Sequence, residues 1–324
     1  MRTTKDPREV SEATILIATR DRKDELRRAL ESALRQEGAP EILVMDDGST
    51  DGTDEMVREE FPGVRLVRSG RSRGQCVQRN IGTALARGRV VIGIDDDACF
   101  ASPATVRQTV ADFEADRVGI VAIPFQDHRA VGSWLEQAPP DRDRCWVAST
   151  FVAAAYAVRR EEFLACGGFR ESLFRAGEEG DLSLRMLAAG LVTRLGTADP
   201  LEHHESPQRV RADILRLEAR NEVLLAWFLV PSAFLPVRML KVAANHVLLG
   251  LRRRMPGASI RGIAEGFAAC LTLRASRTPV PVPTYRLYRH LRREGPATSN
   301  DVLGQLGPID PSEAARRTES PSAP

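Results

Sequence analysis

An α/β fold, with a mostly parallel, doubly wound sheet, flanking helices and a C-terminal helical extension, is predicted by three features of this 324-residue sequence. Short apolar, β-branched runs alternate with helix-period segments over the first half. Polar clusters fall at the carboxyl ends of those runs. Beyond about residue 207 the pattern changes to long helical stripes. Strands separated by helices imply parallel pairing, and such sheets bind ligands beyond the carboxyl ends of their strands.

Ala13–Ala18 (ATILIA) suits a buried parallel strand. Leu26, Ala29, Leu30, Ala33 and Leu34 then recur at helical spacing, with Gly38 just past the end. Glu41–Met45 (EILVM) reads as the second strand. It stops at Asp46-Asp47-Gly48-Ser49-Thr50-Asp51-Gly52, a turn rich in helix-capping residues, before a helix over Thr53–Glu60. Val64–Val67 is a third strand, and the basic loop Arg68–Gly74 leads into a helix ending near Ala86. Val90–Ile94 (VVIGI) is a fourth strand, running into Asp95-Asp96-Asp97. Pro103 opens another helix, Val118–Phe125 is a fifth strand, and Gln126–Trp146 is an irregular loop beside the site. Ser149–Val158 resumes a strand pattern.

After His203-His204, Ile214, Leu217, Asn221, Leu224, Leu225 and Phe228 form one helical stripe, broken by Pro231 and Pro236, and a second helix covers Val237–Arg254. The division that follows is an N-terminal tail (1–12), a catalytic domain (13–207), a C-terminal helical region (208–295) and a disordered tail (296–324). Arg238 and Lys241 interrupt the longest apolar stretch, so no segment reaches the roughly 18 residues a membrane span requires. Met1–Glu12 is polar and charged, unlike a signal peptide. Five scattered cysteines without a CxxC pair argue against a disulfide framework or zinc site, and for a reducing compartment. The net charge of +2 hides an asymmetry, because residues 207–295 hold 16 Arg/Lys against 5 Asp/Glu. That excess directs attention to phosphates, anionic lipid or nucleic acid, but no nucleic-acid recognition motif or aromatic platform accompanies it.

Three clusters carry chemistry. Asp95 and Asp97 at a strand end lie on one side of an extended chain, an arrangement suited to a hard cation such as Mg²⁺ or Mn²⁺. A solvated acidic turn is the alternative, disfavoured because three adjacent carboxylates after a buried strand need a counter-ion. Gly177-Glu178-Glu179-Gly180-Asp181-Leu182 opens a helix, where the dipole favours acids; capping accounts for one carboxylate more readily than for three, and one of them can serve as general base. His203-His204-Glu205-Ser206-Pro207 offers an imidazole, from His203 or His204, to a cation held by Asp97.

The order ILIATRDR, EILVMDDGSTDGT, GQCVQRNIGTALARGRVVIGIDDD, GGFRESLFRAGEEGDLSLRMLAAG and HHESP resembles the family 2 glycosyltransferases of the GT-A fold, over about Thr14 to Pro207. The resemblance implies an inverting, metal-dependent transferase using a nucleoside-diphosphate sugar, with a UDP- or dTDP-sugar favoured. Thr19, Arg20, Asp46 and Asp47 match positions that hold base and ribose, and Arg79 and Asn80 match an element beside the diphosphate. Asp95 and Asp97 match the aspartates of the DXD motif, Asp95 near ribose and metal with Asp96 between them, and Asp97 on the metal. Glu179 stands where the family has its catalytic Asp, with Asp181 as the substitute, and His203 matches a histidine next to the metal. Glu179 would then deprotonate an acceptor hydroxyl attacking the anomeric carbon opposite the diphosphate, whose developing charge the cation stabilises. Departures are Ala18 in place of the usual Pro, the missing Tyr-Asn after Thr19, and Glu in place of the Asp base.

The expected acceptor is a glycan, a lipid-linked saccharide or a small molecule, and the expected location is cytoplasmic, with peripheral membrane contact through the C-terminal helices. Two alternative functions are a non-catalytic sugar-nucleotide-binding scaffold of the same fold and a nucleotidyltransferase. The second is disfavoured because Ala18-Thr19-Arg20-Asp21 stands where a glycine-rich triphosphate loop belongs.

Overall fold

The computed structural model of the protein describes residues 12–129, 132–204 and 211–310. Residues 1–11, Glu205-Ser206-Pro207 with the boundary at 207, and residues 311–324 lie outside them. The chain opens with β1 (Ala13–Thr19), α1 (Lys23–Ala33), β2 (Glu41–Asp46), α2 (Thr53–Glu60), β3 (Arg65–Arg68), α3 (Gln75–Leu85) and β4 (Val90–Asp95). β1 pairs in parallel with β2 on one side and β4 on the other, and β3 extends the β2 edge. Both faces of this sheet are buried, which is why its strands read as continuous apolar runs. Ile15, Ile17, Ile42, Val44, Ile92 and Ile94 pack into one core layer, while Leu16, Leu43, Met45 and Val91 pack into the other.

The next stretch departs from a purely parallel sheet. After β5 (Ala98–Phe100) and α4 (Thr105–Ala111), the single strand expected over Val118–Phe125 is two: β6 (Val118–Ala122) and β7 (Phe125–Arg129). Pro124 lies between them, and a residue without an N–H cannot extend the ladder. The segment 126–146, expected to be irregular, holds most of β7, then β8 (Gly132–Glu136) and the first residue of β9 (Trp146–Ala148). β10 (Ala155–Arg159) inserts antiparallel between β4 and β6, where Gly93 leaves room for the Tyr156 ring. α5 (Arg160–Ala165), α6 (Glu178–Ala188), β11 (Val192–Leu195) and β12 (Leu201–His204) follow.

The C-terminal region consists of α7 (Arg211–Leu229), α8 (Leu235–Arg252), α9 (Pro256–Thr272) and α10 (Val282–Glu294). Pro236 opens α8 rather than breaking it, since a missing N–H costs nothing in the first turn. Gly262 and Gly266 let α9 close on α7; a Cβ on Gly262 would lie 2.1 Å from the Arg216 carbonyl oxygen. Residues 296–310, expected in the disordered tail, are ordered in part, because β13 (Ala297–Thr298) pairs with β9 and α11 (Ser299–Leu303) follows it. The large sheet thus runs β13-β9-β11-β6-β10-β4-β1-β2-β3, and a second sheet runs β5-β12-β7-β8.

Candidate active site

The strand order reverses between β1 and β4, whose carboxyl ends form the crevice of such a fold. Asp95 ends β4 directly beside Ala18 of β1, and Asp46 ends β2 beside Thr19. The triple carboxylate is held by two arginines. Arg79, 2% exposed on α3, donates to Asp95 Oδ1 at 2.7 Å and to the Ala153 carbonyl at 2.9 Å. Arg22 spans the other two, 2.8 Å from Asp96 Oδ1 and 2.9 Å from Asp97 Oδ2. Asp96 also accepts the Thr19 hydroxyl at 2.8 Å, so it faces β1 rather than the crevice. Burial pushes the Asp96 carboxyl upward, and the Arg22 charge opposes that rise.

The small sheet brings a distant histidine to this point. β12 sets His203 opposite Ala98 of β5 and opposite Asp127 of β7, and the His204 N–H donates to the Asp97 carbonyl at 3.0 Å. His203 Nδ1 is 2.8 Å from Asp127 Oδ1, which leaves Nε2 facing Asp97 Oδ1 at 3.3 Å. Burial would lower the imidazole pKa, but hydrogen bonding to Asp97 and Asp127 raises it to about 9. His204 stacks on His128 with ring centroids 5.0 Å apart, so His203 is the histidine presented to the aspartates. Asp95, Asp97 and His203 each offer one ligand atom, all within 4.8 Å of one another. His203 Nε2 is buried and faces the aspartates, and two carboxylate oxygens with one imidazole suit a divalent cation of the Mn²⁺ type. Asp127 fixes the orientation of the His203 ring through Nδ1.

The acidic motif lies across the crevice. Glu179 is half-buried and accepts the Ala153 N–H at 3.4 Å, so the Ala153 peptide joins it to Arg79 and thereby to Asp95. Burial raises the Glu179 pKa above the usual carboxylate range, the direction a general base near neutral pH requires. Burial, and then the charge of Glu179, push Glu178 up as well, 3.8 Å from Arg79. Asp181, the expected substitute base, has another task. It is fully buried between Arg170 at 3.0 Å and Arg185 at 2.6 Å, and these guanidiniums hold its pKa down against burial. Arg185 also donates to the Cys166 and Gly168 carbonyls, both at 2.6 Å.

The expected nucleotide-binding residues lie at or just past the carboxyl ends of β1, β2 and β4 and on α3. Asp46 accepts the Ser49 N–H at 2.8 Å and pairs with Arg68 at 3.3 Å. Asp47 secures the loop before α3, accepting from the Ser72 hydroxyl, the Arg73 and Gly74 amides and Gln78. Asn80 is turned away, its carboxamide engaging both the N–H and the carbonyl of Phe169 at 2.8 Å. Arg20 is exposed and pairs with Asp21 at 3.5 Å, so Arg22, not Arg20, reaches the aspartates. Arg22, Asp127 and the Ala153 peptide are the contributors that sequence reasoning missed. Arg22 was legible only as one of several basic residues after β1, and Asp127 lay in a segment read as loop.

Residues 14–170 match the family model described as glycosyl transferase family 2. Over 200 residues the chain is 29% identical to the succinoglycan biosynthesis protein ExoU of Rhizobium meliloti, covering 56% of this chain and 58% of that one. Over 90 residues it is 41% identical to ExoO of the same organism, covering 27% of this chain and 26% of that one. The chain therefore spans between about a quarter and three fifths of the length of these curated relatives. Among solved structures, it resembles the mannosyltransferase PcManGT of Pyrobaculum calidifontis in complex with GDP-Man and Mn²⁺, with TM-score 0.53, 20% identity, and coverage of 96% of this chain and 88% of that one. It also resembles S. aureus TarS 1-349 in complex with UDP-GlcNAc, with TM-score 0.57, 15% identity, and coverage of 88% of this chain and 92% of that one. At these identities the likeness establishes the GT-A fold.

Proposed function

Because residues 14–170 match the glycosyl transferase family 2 model, we propose that the chain transfers a sugar, with inversion, from a nucleoside-diphosphate sugar to an acceptor hydroxyl in polysaccharide or glycoconjugate assembly. The convergence of Asp95, Asp97 and His203 opposite Glu179 across the β1/β4 crevice carries this reading. Asp95, Asp97 and His203 would hold a divalent cation, which when bound supplies charge stabilisation to a departing diphosphate. The chain's own residues do the rest. The loops after β1 and β2, braced by Asp46 and Asp47, form the nucleotide cradle. Arg79 fixes Asp95 and, through the Ala153 peptide, keeps Glu179 at a set distance from it. Glu179 takes the proton from the attacking hydroxyl, and its raised pKa makes it a stronger base than an exposed carboxylate. Attack opposite the diphosphate inverts the anomeric centre in one displacement, so no covalent glycosyl-enzyme is needed.

A UDP- or dTDP-sugar is the proposed donor. Calorimetric titration of nucleoside diphosphates and their sugars, with Mn²⁺ and then with EDTA, tests the site in the native protein and in Asp97→Ala. Metal-dependent binding of one nucleotide, lost in the variant, is expected. Binding without turnover of any donor would favour the scaffold reading, and no binding by the folded protein would remove both.

The proposal also includes a peripheral location on the cytoplasmic face of a membrane. Among the described residues no helix is long and apolar enough to cross a bilayer. Val237, Leu240, Leu248 and Leu251 on α8 and Phe267 and Leu271 on α9 are nonetheless exposed, and exposed Arg252-Arg253-Arg254 follow Leu251 in the chain. Apolar side chains beside arginines suit an anionic lipid surface. Failure to float with anionic vesicles at moderate salt would exclude that contact.

A further inference from the structure

A second concavity lies outside the β1/β4 crevice. α7, α8 and α10 line a groove of about 870 Å³, to which Gly180 and Leu184 of α6 also contribute. Six Arg/Lys side chains and two histidines line it, against a single carboxylate, Glu222. Glu222 is shared among Arg238 at 3.4 Å, Arg292 at 3.2 Å and His246 at 3.7 Å. One carboxylate cannot neutralise so many cations, and Lys241, Arg286 and Arg289 at the rim are exposed. His246 is 7% exposed and its Nδ1 makes no hydrogen bond, although the ring lines the groove. A buried ring nitrogen left unsatisfied is costly, and a polar ligand group would remove that cost. Leu225, Leu229, Phe234, Val237 and Leu249 supply apolar lining, beside Asn245 and the rings of Tyr285 and Tyr288.

Cationic groups around an apolar trough fit a molecule that is anionic at one end and hydrocarbon at the other. The position suggests what that molecule does. Gly180 walls the groove one residue beyond Glu179, so the two concavities share the first turn of α6. We propose that this groove is the acceptor-anchoring site, taking a phosphate- or diphosphate-headed amphiphile whose saccharide end extends around α6 to Glu179. The acceptor role rests on the glycosyltransferase reading above; the binding of the amphiphile does not.

The test uses the full chain and farnesyl diphosphate, with inorganic diphosphate and farnesol as comparison probes, in EDTA to silence metal-dependent binding at the crevice. UDP binding with Mn²⁺ is measured in parallel on the same proteins. Farnesyl diphosphate should bind the native protein more tightly than either comparison probe. Lys241→Glu with Arg286→Glu should weaken it by on the order of tenfold or more. Ala233→Trp, which places a large ring over an exposed lining position, should do the same. Both variants should keep the native unfolding midpoint and native UDP binding. Absence of binding to the native protein, or equal binding to the variants, overturns the site. Inorganic diphosphate binding as tightly as farnesyl diphosphate overturns its assignment to an amphiphile. Loss of UDP binding in the native protein, with farnesyl diphosphate still held, would instead sink the donor-site reading and with it the acceptor role.

Discussion

Asn221, on α7, controls the loop that presents Glu179, and replacing it with leucine should damage stability and turnover together. Its side chain is 1% exposed, and Nδ2 lies 2.8 Å from the Leu173 carbonyl and 2.7 Å from those of Arg175 and Ala176. The loop needs holding. Phe174 has φ 60°, ψ −54° and centres a γ-turn in which the Arg175 N–H donates to the Leu173 carbonyl at 2.6 Å. Ala176 and Gly177 also have positive φ, and the alanine carries the penalty of a Cβ there. Leucine preserves volume but removes both N–H donors. Stranding the carbonyls costs roughly 2–5 kcal/mol, and relaxation of the two strained residues returns about 1–3 kcal/mol of that. The net expectation is about 2 kcal/mol lost in denaturant unfolding. Glu179 lies two residues beyond Gly177, so a shift of about 1 Å should lower kcat by on the order of a hundredfold. Donor affinity, set across the crevice, should stay within about threefold. A loss below about 1 kcal/mol with native kcat would refute the argument, and native kcat with the full loss would sever the loop from Glu179.

Glu179→Gln should lower kcat by on the order of 10²–10⁴ while leaving donor binding intact, and the native pH profile of kcat/KM should show its acid limb displaced above pH 4.5, because burial raises this carboxyl. Asp181→Asn leaves Arg170 and Arg185 buried without their carboxylate, and should cost about 3–5 kcal/mol in denaturant unfolding; a stable but inactive variant would restore Asp181 as a base. The Glu222 pKa is lowered from 4.5 to about 2 by His246, and by Arg238 and Arg292, against burial. A carboxylate depressed in the folded state contributes stability above pH 4.5 that is lost as the pH falls toward 2, here about 3 kcal/mol. Glu222→Gln should flatten that acid limb in pH-dependent unfolding, and an unchanged limb would show that the cations do not hold this carboxyl.

The legible part of the fold was the part governed by local pattern. β1, β2 and β4 are buried on both faces, so each appears as an uninterrupted apolar run, and Asp95 is visible as the charge that ends one of them. The small sheet was not legible, because β7 and β8 are short, polar and paired with β12 from far along the chain. Asp127 was lost with it, since only the pairing of β7 with β12 places that carboxylate against His203. Tertiary partners also decided between residues that looked equivalent. Glu179 and Asp181 are both acids in the first turn of one helix, yet one meets a backbone amide in the crevice and the other meets two buried arginines. Asn221 falls on the apolar stripe of α7 with Leu217, Leu224 and Phe228, a position that reveals nothing of its partners. Its partners are carbonyls of a loop more than forty residues upstream.

These contacts make the C-terminal helices part of the framework that positions the proposed base, Glu179. The Asp97–His203 pair is positioned from within the α/β domain, through β5, β7 and β12 and by Arg22. The Glu179 side is positioned from both directions: Ala153 holds the carboxylate, and α7 holds the loop before it through Asn221 and through Arg220, which donates to the Ser172 carbonyl at 3.0 Å. Cation binding should therefore tolerate perturbation of α7, whereas deprotonation of the acceptor should not. The groove lies among the same helices, with Glu222 following Asn221 on α7 and Gly180 following Glu179 on α6. A ligand that tightens α7 against α8 and α10 would reinforce the clamp on the Glu179 loop. On the proposed reading, acceptor occupancy and base placement would be mechanically joined, which would restrain hydrolysis of a bound donor when no acceptor is present.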